Sequence, residues 1–402
     1  MPPSTPPTAI SMRFHASISG DASAERAVAQ VISDVKSSLD GRVDVVFAFL
    51  TAQHRDDVAM ILEKLWLELD PQTLVGCSAE GVIGGDLEIE RGPGLSLLAA
   101  EMPGVRVHPF HVVGESDWRE VLTDSDALRD RLGCGPETRA VIGFGDPFST
   151  PAGQFLPALD AAAPGVSLIG GMASGAREPG GNVLLRNDEV KDAGMVGISV
   201  SGSLEVQTLV SQGCRPVGRP MVITRSHDNV VEQLGGKPAL GVLRELVMGL
   251  GNDEKAMLSK GLFLGRAISE YRETFGRGDF LVRNIIGLDE EKGWLGVADY
   301  VRTGQTVQFQ IRDAATANED LDEMLNALRR GEGRQPAGAL LFSCNGRGTR
   351  LFREPCHDIG LARRALPATP VAGFFAAGEF GPVGGRNFIH GHTASFALFR
   401  AR

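Results

Sequence analysis

Apolar residues in this chain come in short blocks whose spacing alternates between strand-like runs and helical periods. Val43–Leu50 (VDVVFAFL) reads as a buried strand, and Asp57–Leu69 as an amphipathic helix. Leu74–Gly76 then leads into a glycine-rich stretch, GCSAEGVIGGD, and Gly94–Ala100 is a further apolar strand. The same order returns with the strand Arg139–Gly145, the proline-interrupted helix Ala152–Ala163 and the strand Val166–Ile169. GGMASGAREPGG, a short hairpin and the strand Ala193–Ser201 complete that unit. It returns again with Ala337–Ser343, the short helix Asp358–Leu366, Val371–Ala372, GFFAAGEFGPVGG and Thr393–Arg400. These rhythms predict an α/β (α+β) fold of repeated strand-helix-strand-Gly-loop-strand units forming mixed sheets.

Each predicted loop carries G-x-x-A-x-G: Gly76 to Gly81, Gly170 to Gly175 and Gly373 to Gly378. A Gly-Gly pair follows each, at Gly84–Gly85, Gly180–Gly181 and Gly384–Gly385. Gly236 to Gly241 fits the spelling too, but it lacks a preceding apolar strand and reads as a chance match at a helix start. Residues 214–336 keep a different rhythm. Pro220–Thr224 and Val230–Leu234 flank a turn at His227-Asp-Asn, and Pro238–Leu250 begins with the proline of a first helical turn. Strands are expected at Leu262–Ile268, Phe280–Leu288, Gly293–Val301 and Val307–Ile311, with a helix over Leu321–Arg329. The expectation is an antiparallel α+β portion in the C-terminal half.

Composition narrows the function. The 402 residues include 51 glycines, far more than the roughly 7% norm, which points to close backbone approaches. A net charge of −10 argues against nucleic-acid and anionic-membrane partners, and no apolar run is long enough to span a bilayer. Five cysteines without a CxxC pair and no secretion signal fit a reducing cytoplasm. The Pro-rich start predicts a disordered lead-in over residues 1–20.

The glycine stretches fit no phosphate cradle, because none carries the Lys-Ser/Thr pair of a P-loop or a GxG opening a helix. Ser78 sits one residue out of register for a nucleophile elbow. Cys77 is a candidate thiolate only with a neighbour that lowers its pKa; otherwise it is a small packed residue. The third unit is the most polar. Asn345, Arg347, Glu379, Asn387 and His390 cluster near its strand ends, where arginine offers a fork for a carboxylate and Glu379 a partner for an amine. The plain alternative for Arg347 is an internal ion pair with Glu379 or Glu354. Asp146 precedes a proline and reads as a turn residue that can also face a cleft, as can Ser174 of the second glycine stretch. No metal site is expected, since His390 and His392 would alternate across a strand. No cofactor is expected either.

The stretches VGCSAEGVIGG, LIGGMASG before GMVGISVSG, PVGRPMVITRSHDNVVEQLGGKPAL, and FSCNGRG with HDI and PVAGFFAAGEFGPVGG…NFIHGHTASFALF resemble those of the FIST family. The resemblance runs from about Val43 to Phe399. It implies an N-terminal FIST domain over 21–213, a C-terminal one over 214–402, and a cytoplasmic small-ligand-binding sensory protein of bacterial signal transduction. The ligand implied is an amino acid or similar polar metabolite. No kinase or cyclase motif follows, so a signalling partner in trans is expected. The ligand-binding residues expected are Cys77, Ser78, Glu80, Asp146, Ser174, Asn345, Arg347, Glu379, Asn387 and His390. Two alternatives stay open: an enzyme with Cys77 or Cys344 as nucleophile, and a protein-binding scaffold.

Overall fold

A computed structural model describes residues 12–258, 261–272, 274–276, 278–331 and 335–402. The first unit comprises β1 (Arg13–Ser19), α1 (Ala24–Ser38), β2 (Val45–Thr51), α2 (Val58–Leu69), β3 (Thr73–Ala79), β4 (Val82–Gly84), β5 (Leu87–Ile89) and β6 (Leu95–Glu101). The second comprises β7 (Val105–Val112), α3 (Gly114–Thr123), α4 (Ser125–Leu132), β8 (Thr138–Gly145), α5 (Ala152–Ala162), β9 (Ser167–Met172), β10 (Leu184–Arg186), β11 (Glu189–Lys191) and β12 (Met195–Gly202). The third opens with β13 (Leu204–Gln212) and is then interrupted. The insert holds β14 (Cys214–His227), β15 (Val230–Leu234), β16 (Lys237–Pro238), α6 (Ala239–Gly249), α7 (Asn252–Leu258), β17 (Leu262–Ala267), β18 (Phe280–Asp289), β19 (Trp294–Val297) and β20 (Thr306–Arg312). The third unit resumes with α8 (Ala314–Arg330), β21 (Gly338–Cys344), α9 (His357–Ala365), β22 (Val371–Ala376), β23 (Glu379–Val383), β24 (Arg386–His390) and β25 (Thr393–Ala401).

The units are interlocked. The three six-stranded sheets run β1-β6-β2-β3-β10-β11, β7-β12-β8-β9-β23-β24 and β13-β25-β21-β22-β4-β5. Each sheet therefore takes four strands from its own unit and a hairpin from another. The first unit's hairpin completes the third sheet, the third's completes the second, and the second's completes the first. Each sheet holds one parallel pair, β2/β3, β8/β9 or β21/β22.

The inner faces of all three sheets share one core, and helices cover each outer face. Helix α1 shows why: Ser23 caps it, and Ala27, Val28, Val31, Ile32 and Val35 bury one stripe against the first sheet. Phe49, Phe144 and Phe342 hold equivalent positions on β2, β8 and β21, and they meet at the centre around Phe374 with ring centroids 5.0–6.0 Å apart. The residues opposite them are Cys77, Gly171 and Phe374. One large ring fills the centre, so the other two positions stay small. That is the packing role of Cys77.

Several boundaries shift from expectation. The G-x-x-A-x-G stretches are mostly strand rather than loop: β3, β9 and β22 carry their first glycines, and Ala79, Ala173 and Ala376 are wholly buried. A Cβ on Gly76, Gly170 or Gly373 would lie 1.7, 1.9 or 1.7 Å from the carbonyl oxygen of Ala48, Gly143 or Leu341. This glycine lets each parallel neighbour approach. The Gly-Gly pairs of the first and third units form hairpin turns, with Gly85, Gly384 and Gly385 at positive φ. In the second unit Asn187 turns the hairpin instead. Residues 13–19 of the expected lead-in form β1, paired to β6, whereas residues 1–11 lie outside the described residues. Strand β19 ends at Val297, and α8 begins at Ala314, capped by Asp313. The insert is a seven-stranded antiparallel sheet with its own apolar core.

Candidate functional site

The three glycine stretches converge on a ring of hydrogen bonds. The fifth residue of the second motif, Ser174, donates its N–H to the third residue of the first, Ser78 (3.2 Å). In the same way Ala377 donates to Met172 (3.0 Å). Closing the ring would need Glu80 to donate to Phe375. There the Ser174 hydroxyl intervenes, accepting from the Glu80 N–H (2.9 Å) and donating to the Phe375 carbonyl. Ser174 thus ties all three units together. Ser78 lies beneath, its hydroxyl accepting from the Val183 N–H (2.8 Å).

Beside this ring a polar groove of about 60 Å³ opens between the first unit's hairpin and the chain after β21. Glu80, Gly81, Glu90 and Arg91 line one side, and Asn345, Thr349, Arg350 and Phe375 the other. Arg350 makes a forked ion pair with Glu80 across the mouth and also donates to the Asn345 carbonyl (2.5 Å). Their side chains remain 47% and 30% exposed, so solvent reaches both charges. Glu90 accepts the Thr349 N–H (2.8 Å) and hydroxyl (2.8 Å). Gly348, at φ +56°, bends the chain so closely over Glu90 that a Cβ would lie 2.4 Å from a carboxylate oxygen.

The groove is held from behind by a buried charge cluster. Arg347 makes a forked pair with Asp358 (2.7 and 2.8 Å), and both side chains are 1% exposed. Asp358 also accepts from the Ser343 hydroxyl (2.8 Å). Burial works against the charged Asp358, but Arg347 and His357 hold its carboxyl well below the usual range. Glu88 of the first unit's hairpin accepts the Ile359 N–H in the first turn of α9 (2.8 Å). Burial, and then Asp358, pushes its carboxyl up. Removing Arg347 alone would leave Asp358 buried and uncompensated, a loss on the order of 3–5 kcal/mol. Arg347 is therefore a support of the site, held in an internal ion pair as its plain alternative expected, but with Asp358 rather than Glu379 or Glu354 as the partner.

The expected site residues separate into groups. Glu80 and Asn345 face the groove, and Ser78 and Ser174 form the ring. Asp146 is a turn residue, accepting from the Phe148 N–H (3.2 Å), the Ser149 hydroxyl (2.6 Å) and Asn182 (3.0 Å). Asn387 pins β24 to the second unit through Asp160, Val166 and Leu168. His390 pairs with the Gly381 carbonyl (3.0 Å), and burial pushes its pKa down to about 4. Glu379 is wholly buried and accepts from the Thr393 N–H and hydroxyl (3.2 and 2.7 Å); burial pushes its pKa up to about 8. Cys77 lies in the core with its thiol pushed well up by burial, and Cys344 is likewise pushed up to about 12. Burial disfavours the thiolate form of both.

Sequence reasoning missed Arg350, Thr349 and Glu90. In RGTR only the turn at Gly348 decides which arginine is driven inside and which reaches the groove.

The FIST N domain model matches residues 44–237, and the FIST C domain model residues 239–382. The chain belongs to the FIST family. FIST domains are sensory domains of signal-transduction proteins and bind small ligands. Among relatives, an uncharacterized protein of Mycobacterium tuberculosis (strain ATCC 25618 / H37Rv) is 36% identical over 390 residues, covering 96% of this chain and all of its own. Another, of Mycobacterium bovis (strain ATCC BAA-935 / AF2122/97), is 37% identical over 391 residues, covering 96% and 99%. A crystal structure of cyanuric acid hydrolase from A. caulinodans aligns over 97% of this chain and 99% of its own, with a TM-score of 0.35 and 9% identity. That likeness is too low to bear on activity. Among the described residues of this FIST protein, no helix is long and apolar enough to cross a membrane.

Proposed function

We propose that this FIST protein senses a small zwitterion, an α-amino acid or close analogue, in the groove between Glu80 and Arg350. The observation that carries the reading is the exposed pair of opposite charges from two different units, beside the ring that joins all three. A ligand carboxylate replaces Glu80 on the Arg350 fork, and a ligand ammonium takes Glu80 and Glu90. One surface ion pair, itself worth at most about 1 kcal/mol, is exchanged for two charge-assisted contacts of about 1.5–3 kcal/mol each. At about 15 Å³ per water-sized sphere, the groove holds roughly four such spheres. That suits the head group of an amino acid with its side chain directed outward.

The reading also supplies a path to an output. The chain from Asn345 to Arg350 packs on the insert: a Cβ on Gly346 would lie 2.4 Å from the Arg312 guanidinium at the end of β20. Arg312 in turn contacts His392 (2.5 Å). A ligand that moves Arg350 therefore bears on the insert, whose Val222, Met248, Tyr271, Ile286, Leu288 and Tyr300 are large exposed apolar side chains. A partner protein docks there in this reading, acting in trans in the cytoplasm.

A thermal-shift screen of the twenty amino acids and their decarboxylated or deaminated analogues tests the proposal. A saturable stabilisation is expected for at least one zwitterion and for neither of its singly charged analogues. Glu80→Gln and Arg350→Ala should each weaken it tenfold or more while moving the unliganded stability by under about 1 kcal/mol. Equal binding by wild type and both variants would place the ligand elsewhere, and no response to any zwitterion would refute the ligand class.

A further inference from the structure

The insert contains a second cavity, distant in kind from the polar groove. Strand β14 pairs with β20 from Cys214 to Val217 and again from Met221, and the register breaks between them. Gly218, Arg219 and Pro220 bulge out of the ladder, with Gly218 at φ +68°. The bulge is built rather than slack: the Gln308 side-chain amide, itself 7% exposed, donates to the freed Gly218 carbonyl (2.7 Å). Helix α6 lies against it, so that a Cβ on Gly218 would fall 2.8 Å from Leu246. Bulges are over-represented at barrel rims and next to active sites, where they re-aim a side chain or end the pairing.

The opening is a cavity of about 440 Å³ whose walls are apolar, from Met221, Leu234, Val242, Leu246 and Phe309. Its size falls within the range of small-molecule sites, which pair apolar walls with a few polar anchors. Three charged residues stand at the rim. Lys237 and Glu245 neutralise one another through two contacts (3.0 and 2.9 Å). Arg219 has no hydrogen bond or ion pair among the described residues, which leaves one unmatched positive charge beside an apolar chamber. We infer that this cavity binds an amphipathic anion, a medium-chain carboxylate whose tail lies against Leu234 and Phe309 and whose head meets Arg219. The site stands apart from the groove and does not depend on the zwitterion reading.

Decanoate and decanol, titrated calorimetrically against the full chain below their aggregation limits, test it. Decanoate should bind saturably at one site and at least tenfold more tightly than decanol. Arg219→Ala, on an exposed side chain, should remove that preference, and Leu246→Trp should fill the chamber and abolish binding, with Glu80→Gln without effect. Equal binding of the two probes, or a preference for decanoate unchanged by Arg219→Ala, would overturn the inference. The Arg219→Ala arm decides even if Leu246→Trp fails to fold.

Discussion

Glu379 shows how one buried acid can govern the pH response of the molecule. Its carboxyl has no route to water, and the Thr393 contacts satisfy only one oxygen, so the neutral form is favoured and its pKa rises from 4.5 to about 8. The folded protein thus holds a proton that the unfolded chain releases between those values. Its contribution to stability is complete below pH 4.5 and is lost as pH rises through about 8. Glu379→Gln should flatten this slope and gain most, relative to wild type, above pH 8; urea unfolding across pH 5–9 measures it. An unchanged slope would assign the pH dependence to Glu88. Cys77 illustrates the opposite reading of a reactive residue type. Packed opposite Phe49 at the centre, it is there because Phe374 already fills the space.

At the scale of elements, the parallel pairs depend on a glycine at one register position. Gly373→Ala places a methyl 1.7 Å from the Leu341 oxygen, so β21 and β22 must separate at the heart of the third sheet. A loss of at least about 3 kcal/mol is expected in equilibrium unfolding. Gly85→Ala meets no atom within 4 Å and costs only the left-handed strain at φ +58°, about 1 kcal/mol. Similar losses for both would refute the packing account. The spelling G-x-x-A-x-G was legible in the sequence because its cause is local to the strand pair. The exchanged hairpins were not legible, since β4–β5 satisfy the same alternation on any sheet edge.

For the whole molecule, the hairpin exchange makes the three units one cooperative body, because none completes its own sheet. The insert is different. It leaves and rejoins the third unit where the Asp313 N–H reaches the Gly213 carbonyl (3.4 Å), and it has its own core. Replacing residues 214–312 with a short Gly-Ser link should therefore leave the three-sheet body folded and cooperatively melting. Lost contacts such as Gln212 to Phe280 should lower its stability without abolishing it. Aggregation of that variant with loss of its β-sheet circular dichroism would show that the body needs the insert.

Sequence by itself determined the repeated units, the insert with its antiparallel strands, and the family. Each of these rests on apolar period and glycine spacing, which act between neighbours in the chain. The site was only partly visible. Glu80 and Asn345 were legible, but Arg350 was not, because it offers the same guanidinium as Arg347 and differs from it only in direction. That direction is imposed by the turn at Gly348 and by Asp358, which arrives from another element to pair with Arg347 in the interior. Which sheet each hairpin completes, and which arginine meets solvent, are decided by burial and charge pairing between distant segments. Only the tertiary structure brings those segments together.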